Sequence, residues 1–210
     1  MKITQVIKKL NNTELGKART NDTYVLIPKN LDISDLFPAV NKQIGFINKE
    51  NGEIINLRYT MGREKRVVGL GPYYNKYSVC AGDEIVLERQ IVKGESQYFI
   101  NLKKRLNVVI LKRQKSGFEV LTKDRINLLD SVSSNVGGER LKLIYLCSEK
   151  KRTDSPELTE FYDFLSGERS MLGDFSSGEF IEIEVKNDIA RVKRFCTWRK
   201  YKFEMEDEDA

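Results

Sequence analysis

The sequence predicts a mainly β protein, with a barrel or sandwich over residues 1–105, a smaller α+β accessory domain over 106–203 and an acidic tail over 204–210. Three observations point to it. β-rich runs in the first half are short and are broken by turn residues about every ten positions, the rhythm of packed all-β folds. Strand-like runs in the second half are joined by one segment with helical spacing. A length of 210 residues suits one large core or two small ones.

Taken in order, "TYVLIPK" (Thr23 to Lys29) is β-rich and is stopped by Pro28. "KQIGFIN" and "EIINLRYT" flank the turn "NKENGE", and "EIVLERQIV" and "QYFINLKK" flank "KGES". Two short helices are expected, in "LDISDLFPAVNKQ" and "PYYNKYSV". Beyond a junction near Arg105, "LNVVILKR", "GFEVLTK", "RLKLIYLCS", "EFIEIEVK" and "IARVKRFCTW" look like strands. "SPELTEFYDFLSGE" predicts a helix: Ser155 as N-cap, Pro156 in the first turn, and Leu158, Phe161, Tyr162 and Leu165 at helical spacing before Gly167. In "CAGDE", Gly82 and Asp83 suit a tight turn with the carboxylate capping backbone N–H groups.

Charge divides the chain. Residues 1–105 hold 18 Lys and Arg against 11 Asp and Glu, while 106–210 hold 18 against 20, so the positive field belongs to the first half and suggests a polyanionic partner. Absence of histidine excludes Ser-His and Cys-His nucleophiles and His-containing zinc sites. Cys80, Cys147 and Cys196 stand far apart and read as small apolar side chains. No apolar run approaches a membrane span, and "MKITQVIKKLNN" lacks a signal peptide's apolar stretch, so a cytoplasmic protein without membrane contact is expected.

Four stretches stand in order: "TELGKARTNDTYVLIPK", "LFP" (Leu36 to Pro38), "NGEIINLRYTMGREKRVVGL", and "CAGDEIVLER" followed by "YFINLKKR". Together they resemble the B3 family of DNA-binding domains, the first being similar to its N-terminal arm and first strand and the second to its Phe-Pro. "NGEIINLRYTMGREKRVVGL" resembles its Phe-Arg-Tyr-Ser segment and the strand that follows. "CAGDEIVLER", followed by "YFINLKKR", resembles its Ala-Gly-Asp turn and closing strands. The resemblance implies a seven-stranded open pseudobarrel with two short helices, whose two arms grip the major groove of double-stranded DNA. On the N-arm it implicates Lys17, Arg19, Thr20, Asn21 and Asp22, and on the C-arm Arg58, Tyr59, Thr60, Arg63, Glu64, Lys65 and Arg66.

These residue types suit base reading, since arginine forks match guanine O6 and N7 and asparagine amides match adenine. Asp22 and Glu64 repel phosphates but accept from cytosine N4 or hold an arginine in place, which favours base readout over a purely electrostatic grip. Gly62 lets the backbone bend or approach closely. Gly62 to Arg66 stand where plant members carry Trp-Asn-Ser-Ser-Gln, so no plant target sequence carries over. Lys29, Lys42, Lys49 and Lys76 suit phosphate contacts. Tyr73, Tyr74 and Tyr77 suit either base stacking or the barrel wall.

A rival reading lies in "GDFSSGEFIEIEVK", where Asp174, Glu184 and Lys186 have the D-x(n)-E-x-K spacing of Mg²⁺-dependent restriction nucleases. The same residues also read as a plain hairpin turning at Asn187-Asp188, with Val185 facing Ala190, Ile183 facing Val192, Glu184 facing Arg191 and Glu182 facing Lys193. "RVKRFCTWRKYKF" interleaves bases with aromatics and reads either as a second nucleic-acid surface or as a two-faced strand. The expectation is sequence-specific duplex recognition with no cofactor and no catalysis in this chain. A Lys/Asn/Ile-rich composition points to a microbial genome and a restriction system, whose nuclease or NTP-driven motor would lie on another domain or subunit. An RNA-binding or protein-interaction module is the third reading.

Overall fold

A computed structural model describes residues 1–16, 23–130, 132–135, 137–150, 158–195 and 197–205. The chain forms two compact units, Met1–Lys104 with Cys196–Ala210, and Arg105–Phe195. The first contains β1 (Lys2–Lys9), β2 (Tyr24–Ile27), β3 (Gln43–Asn48), β4 (Ile54–Met61), β5 (Lys65–Val68), the helix α1 (Gly71–Lys76), β6 (Glu84–Val92) and β7 (Glu95–Lys103). The second contains β8 (Val108–Gln114), β9 (Gly117–Val120), β10 (Ser133–Ser134), β11 (Leu141–Glu149), β12 (Thr159–Ser166), β13 (Arg169–Ser170), β14 (Phe180–Lys186) and β15 (Ile189–Arg194). β16 (Trp198–Glu204) then returns to the first unit and pairs with β1.

In the first unit the strand order is β16-β1-β6-β7-β3-β4-β5-β2, antiparallel except for β3 against β7. Leu10, Phe46, Leu57, Val67, Tyr73, Ile85 and Ile100 belong to one continuous core. The sheet curls until its end strands meet, because Trp198 Nε1 in β16 donates to Leu26 O in β2 at 3.0 Å. That contact is a side chain's, so the sheet stays open. It has eight strands among the described residues rather than the expected seven, and the eighth is the strand that local pattern assigned to the second domain.

The expected helix over "LDISDLFPAVNKQ" is a turn. Asp32 spends its carboxylate on the N–H and hydroxyl of Ser34, and Pro38 has no N–H to extend the turn in which Leu36 and Phe37 donate to Ile33 O. The helix expected in "PYYNKYSV" is α1, with Pro72 in its first turn and Tyr73 and Tyr74 buried in the core, while Tyr77 packs partly against it. Asp83 is buried, caps the N–H of Cys80 at 2.9 Å and pairs with Lys104 at 3.0 Å, and Gly82 takes φ 86 in that turn.

The second unit's sheet runs β10-β15-β14-β8-β9-β12-β11 over a core that includes Leu111, Phe118, Phe164 and Ile183. The helix expected over 155–168 is instead the strand β12 where the structure describes it, and Ser155, Pro156 and Glu157 lie outside the described residues. Tyr162 and Phe164 alternate onto the core face, and Phe164 meets Phe118 edge-on at 5.9 Å. Tertiary pairing with β11 and β9 thus overrides an apolar spacing that suits either structure. The unit's helical turn lies elsewhere, a 3-10 segment over Lys123–Leu129, so it is more fully β than the α+β expectation. No helix among the described residues is long and apolar enough to cross a membrane.

Candidate nucleic-acid interface

The break in the strand pattern at Gly62 is the tip of a hairpin. β4 and β5 pair antiparallel, with Thr60 opposite Arg66 and Met61 opposite Lys65, and Gly62, Arg63 and Glu64 form the loop, closed by Gly62 N–H on Glu64 O at 3.2 Å. Alternation sorts the side chains. Leu57, Tyr59 and Val67 turn into the core, whereas Arg58, Thr60 and Arg66 share the other face. Tyr59 is therefore a wall residue beside Phe37, its rings 6.1 Å apart, and burial raises its hydroxyl above the usual tyrosine value.

Arg66 is held on two sides. Its Nε and Nη2 both donate to Glu64 Oε2, at 3.0 and 2.7 Å, and its guanidinium lies 4.1 Å from the centre of the Tyr24 ring. Tyr24 reaches it because β2 pairs with β5, which sets Leu26 opposite Arg66 and Tyr24 one diagonal step away. Arg58 and Arg63 are exposed and have no carboxylate partner among the described residues. Lys65 donates to Lys29 O at 3.3 Å, and Thr60 Oγ1 to Arg66 O at 3.3 Å.

Gly62 is not demanded by the fold. Its φ is not in the left-handed region and a Cβ there would meet nothing within 4 Å. Space flanks the tip on both sides, a cavity of about 440 Å³ lined by Thr60 to Glu64 and Arg66, and one of about 480 Å³ between Leu26 to Lys29 and Met61 to Lys65.

Lys17, Arg19, Thr20, Asn21 and Asp22 of the N-arm lie outside the described residues. The described residues on either side are joined: Tyr24 N–H donates to Glu14 O at 3.1 Å, and Tyr24 opens β2, which pairs with β5. Glu14 also belongs to a buried ion pair, Lys8 Nζ to Glu14 Oε1 at 3.0 Å, and accepts from the N–H of Leu26 at 2.9 Å and of Asn11 at 3.2 Å. Burial pushes the Glu14 carboxyl up and the Lys8 amine down, and each opposes the shift of the other. Sequence reading missed Tyr24, Lys8 and Glu14, whose roles follow from strand pairings that no local signal records.

Among the lysines suited to phosphate, Lys49 pairs with Glu88 at 2.7 Å and Lys76 with Glu53, while Lys29 and Lys42 are exposed. The two carboxylates of the D-x(n)-E-x-K set have ionic partners of their own. Asp174 takes Arg169 at 2.6 Å; Glu184 takes Arg105 at 3.0 Å and Lys193 at 2.8 Å; and Lys186 is exposed. No group of three potential ligands occurs among the described residues. The hairpin reading has the observed register, with Val185–Ala190, Ile183–Val192, Glu184–Arg191 and Glu182–Lys193 pairs and positive φ at both Asn187 and Asp188. "RVKRFCTWRKYKF" is divided, its first half in β15 and its second in β16 of the other unit.

A scan against protein-family models and a search of curated proteins each find no match. Among solved structures, the Arabidopsis FUS3-DNA complex is similar over 47% of this chain and 94% of that chain, at 16% identity and a TM-score of 0.34. The N-terminal domain of Helicobacter pylori LlaJI.R1 is similar over 50% of this chain and 82% of that chain, at 11% identity and a TM-score of 0.34.

Proposed function

We propose that this chain recognises double-stranded DNA by sequence, using the β4–β5 hairpin together with residues 17–22 in the major groove. The observation that carries the reading is Arg66, pinned by Glu64 and stacked over Tyr24 on an exposed β-ribbon. A two-stranded ribbon fits the roughly 12 Å major groove, and an arginine fixed in orientation suits a bidentate contact with a base edge. A purely electrostatic surface has no use for a carboxylate at the tip, because it repels phosphate. Arg58 and Arg63 supply further donors, and Gly62 leaves room for close approach.

The chain acts as a targeting module in this proposal, with cleavage or translocation supplied by another domain or subunit of a restriction system. Commitment of Glu184 to Arg105 and Lys193, and of Asp174 to Arg169, supports a non-catalytic role for the second unit. Competition binding separates the readings. Duplex DNA is expected to displace a labelled duplex, whereas displacement by structured RNA alone overturns the proposal. Cleavage of duplex DNA with Mg²⁺ that is lost in Glu184→Ala overturns the non-catalytic part.

A further inference from the structure

The second unit's sheet ends on β11, whose inner side pairs with β12; on the other side Arg140 bridges to Ser133 of β10 and the Leu141 N–H donates to Val132 O, and from Lys142 on β11 pairs with no further strand among the described residues. Sheet edges are usually shielded by charge or by irregularity, because unpaired backbone groups recruit other strands. This one is apolar at its centre. Ile144, Tyr145 and Leu146, three in a row, are 49%, 56% and 44% exposed.

The pairing with β12 slips between Tyr145 and Cys147, which makes Leu146 the extra residue of a bulge. The bulge changes which residues share a face. Lys142, Ile144, Cys147 and Glu149 sit opposite Leu165, Asp163, Phe161 and Thr159, alternate residues of β12, so all four lie on one side of the sheet. In order they read cation, apolar, apolar, anion, and their positions mirror one another about the Tyr145–Leu146 bond. In a strand without the bulge, Lys142 and Glu149 would fall on opposite faces.

We infer that β11 is a self-complementary edge through which a second copy of this chain docks. A two-fold axis normal to the sheet, passing between Tyr145 and Leu146, sets β11 antiparallel to its copy and keeps each face with itself. Lys142 then faces Glu149 of the second copy, and the reverse, while Ile144 faces Cys147 and Tyr145 faces Leu146. Both charged groups suit this use: Lys142 is exposed without an anionic partner among the described residues, and Glu149 is exposed with its carboxylate positioned by the Ser116 hydroxyl at 2.9 Å. A second copy fits better than an unrelated protein because the charge order complements itself. The inference rests on the second unit alone and does not depend on the DNA-binding reading.

The test is light scattering on the full chain without DNA. The wild type is expected to have the mass of two chains, and Lys142→Glu or Glu149→Lys alone, each setting like charges face to face, the mass of one. The double exchange, Lys142→Glu with Glu149→Lys, is expected to restore the dimer. Because all three variants change only exposed charges, circular dichroism is expected to match the wild type. Register is read independently with Ile144→Cys, which under oxidised glutathione is expected to form a disulfide with Cys147 of the second copy, mapped by mass spectrometry. A wild type that stays monomeric across the concentration range overturns the inference and leaves the edge to a different protein. A dimer insensitive to the single charge reversals, or one not restored by the exchange, overturns it too.

Discussion

Glu64 Oε2 accepts both the Nε and the Nη2 hydrogens of Arg66, from two residues away on one hairpin. The pair is partly exposed, so removing the carboxylate is expected to change stability by less than about 1 kcal/mol. Its effect on binding is expected to be two-sided. Glu64→Ala removes a phosphate-repelling charge and releases Arg66, so affinity for random duplex rises while preference for the cognate site falls. Parallel titrations of cognate and random duplexes check this, and a fall in both affinities contradicts it.

Arg63 and Lys29 are expected to separate base reading from phosphate contact. Arg63→Ala should weaken the cognate complex by about 1–3 kcal/mol and relax preference at one base pair. Lys29→Ala should lower affinity evenly across sequences and reduce the salt slope by about one unit. Binding isotherms over a range of salt concentrations measure both.

Gly62→Ala is expected to leave the melting temperature unchanged, since the added methyl meets nothing within 4 Å and the backbone is not left-handed. Weaker DNA binding at unchanged melting temperature would place a bound molecule against this position. Unchanged binding would remove Gly62 from the interface.

The Lys8–Glu14 pair is buried where Glu14 meets β2. Glu14→Gln keeps an acceptor for the Leu26 N–H but leaves Lys8 buried without its counter-charge, and is expected to cost about 3–5 kcal/mol. Combining it with Lys8→Met should cost less than Glu14→Gln alone, because no unpaired charge then remains buried. Urea unfolding of the three proteins decides.

Asp35 fastens β16 through Lys200 and Lys202, each at 3.0 Å, and these hydrogen bonds hold its carboxyl below the usual value of 3.8. A carboxyl depressed in the folded state contributes stability above its unfolded value and loses that contribution as pH falls through its folded one. Stability is therefore expected to decline in acid as pH falls below the ordinary value of 3.8, with a shallower decline in Asp35→Asn. Chemical unfolding at stepped pH measures the slope.

Local signals carried part of this structure. The β14–β15 hairpin was legible because one face alternates apolar residues, the other alternates opposite charges, and Asn187-Asp188 supplies the turn. The tip of the β4–β5 hairpin was legible as a strand pattern broken at Gly62. β12 was not, because Leu158, Phe161, Tyr162 and Leu165 suit a helix as well as a strand, and only pairing with β11 decides between them. The return of β16 to β1 joins residues at opposite ends of the chain, a partnership that no local pattern encodes. Tyr24 under Arg66 depends on the β2–β5 ladder in the same way.

The proposal stands or falls on whether the β4–β5 hairpin reads base sequence in duplex DNA. A binding selection from random duplexes, run on the wild type and on a variant with Arg58, Arg63 and Arg66 changed to Ala, tests it most directly. A defined motif is expected for the wild type and, for the variant, loss of preference at the positions those arginines contact. The same motif recovered undiminished from both proteins would contradict it.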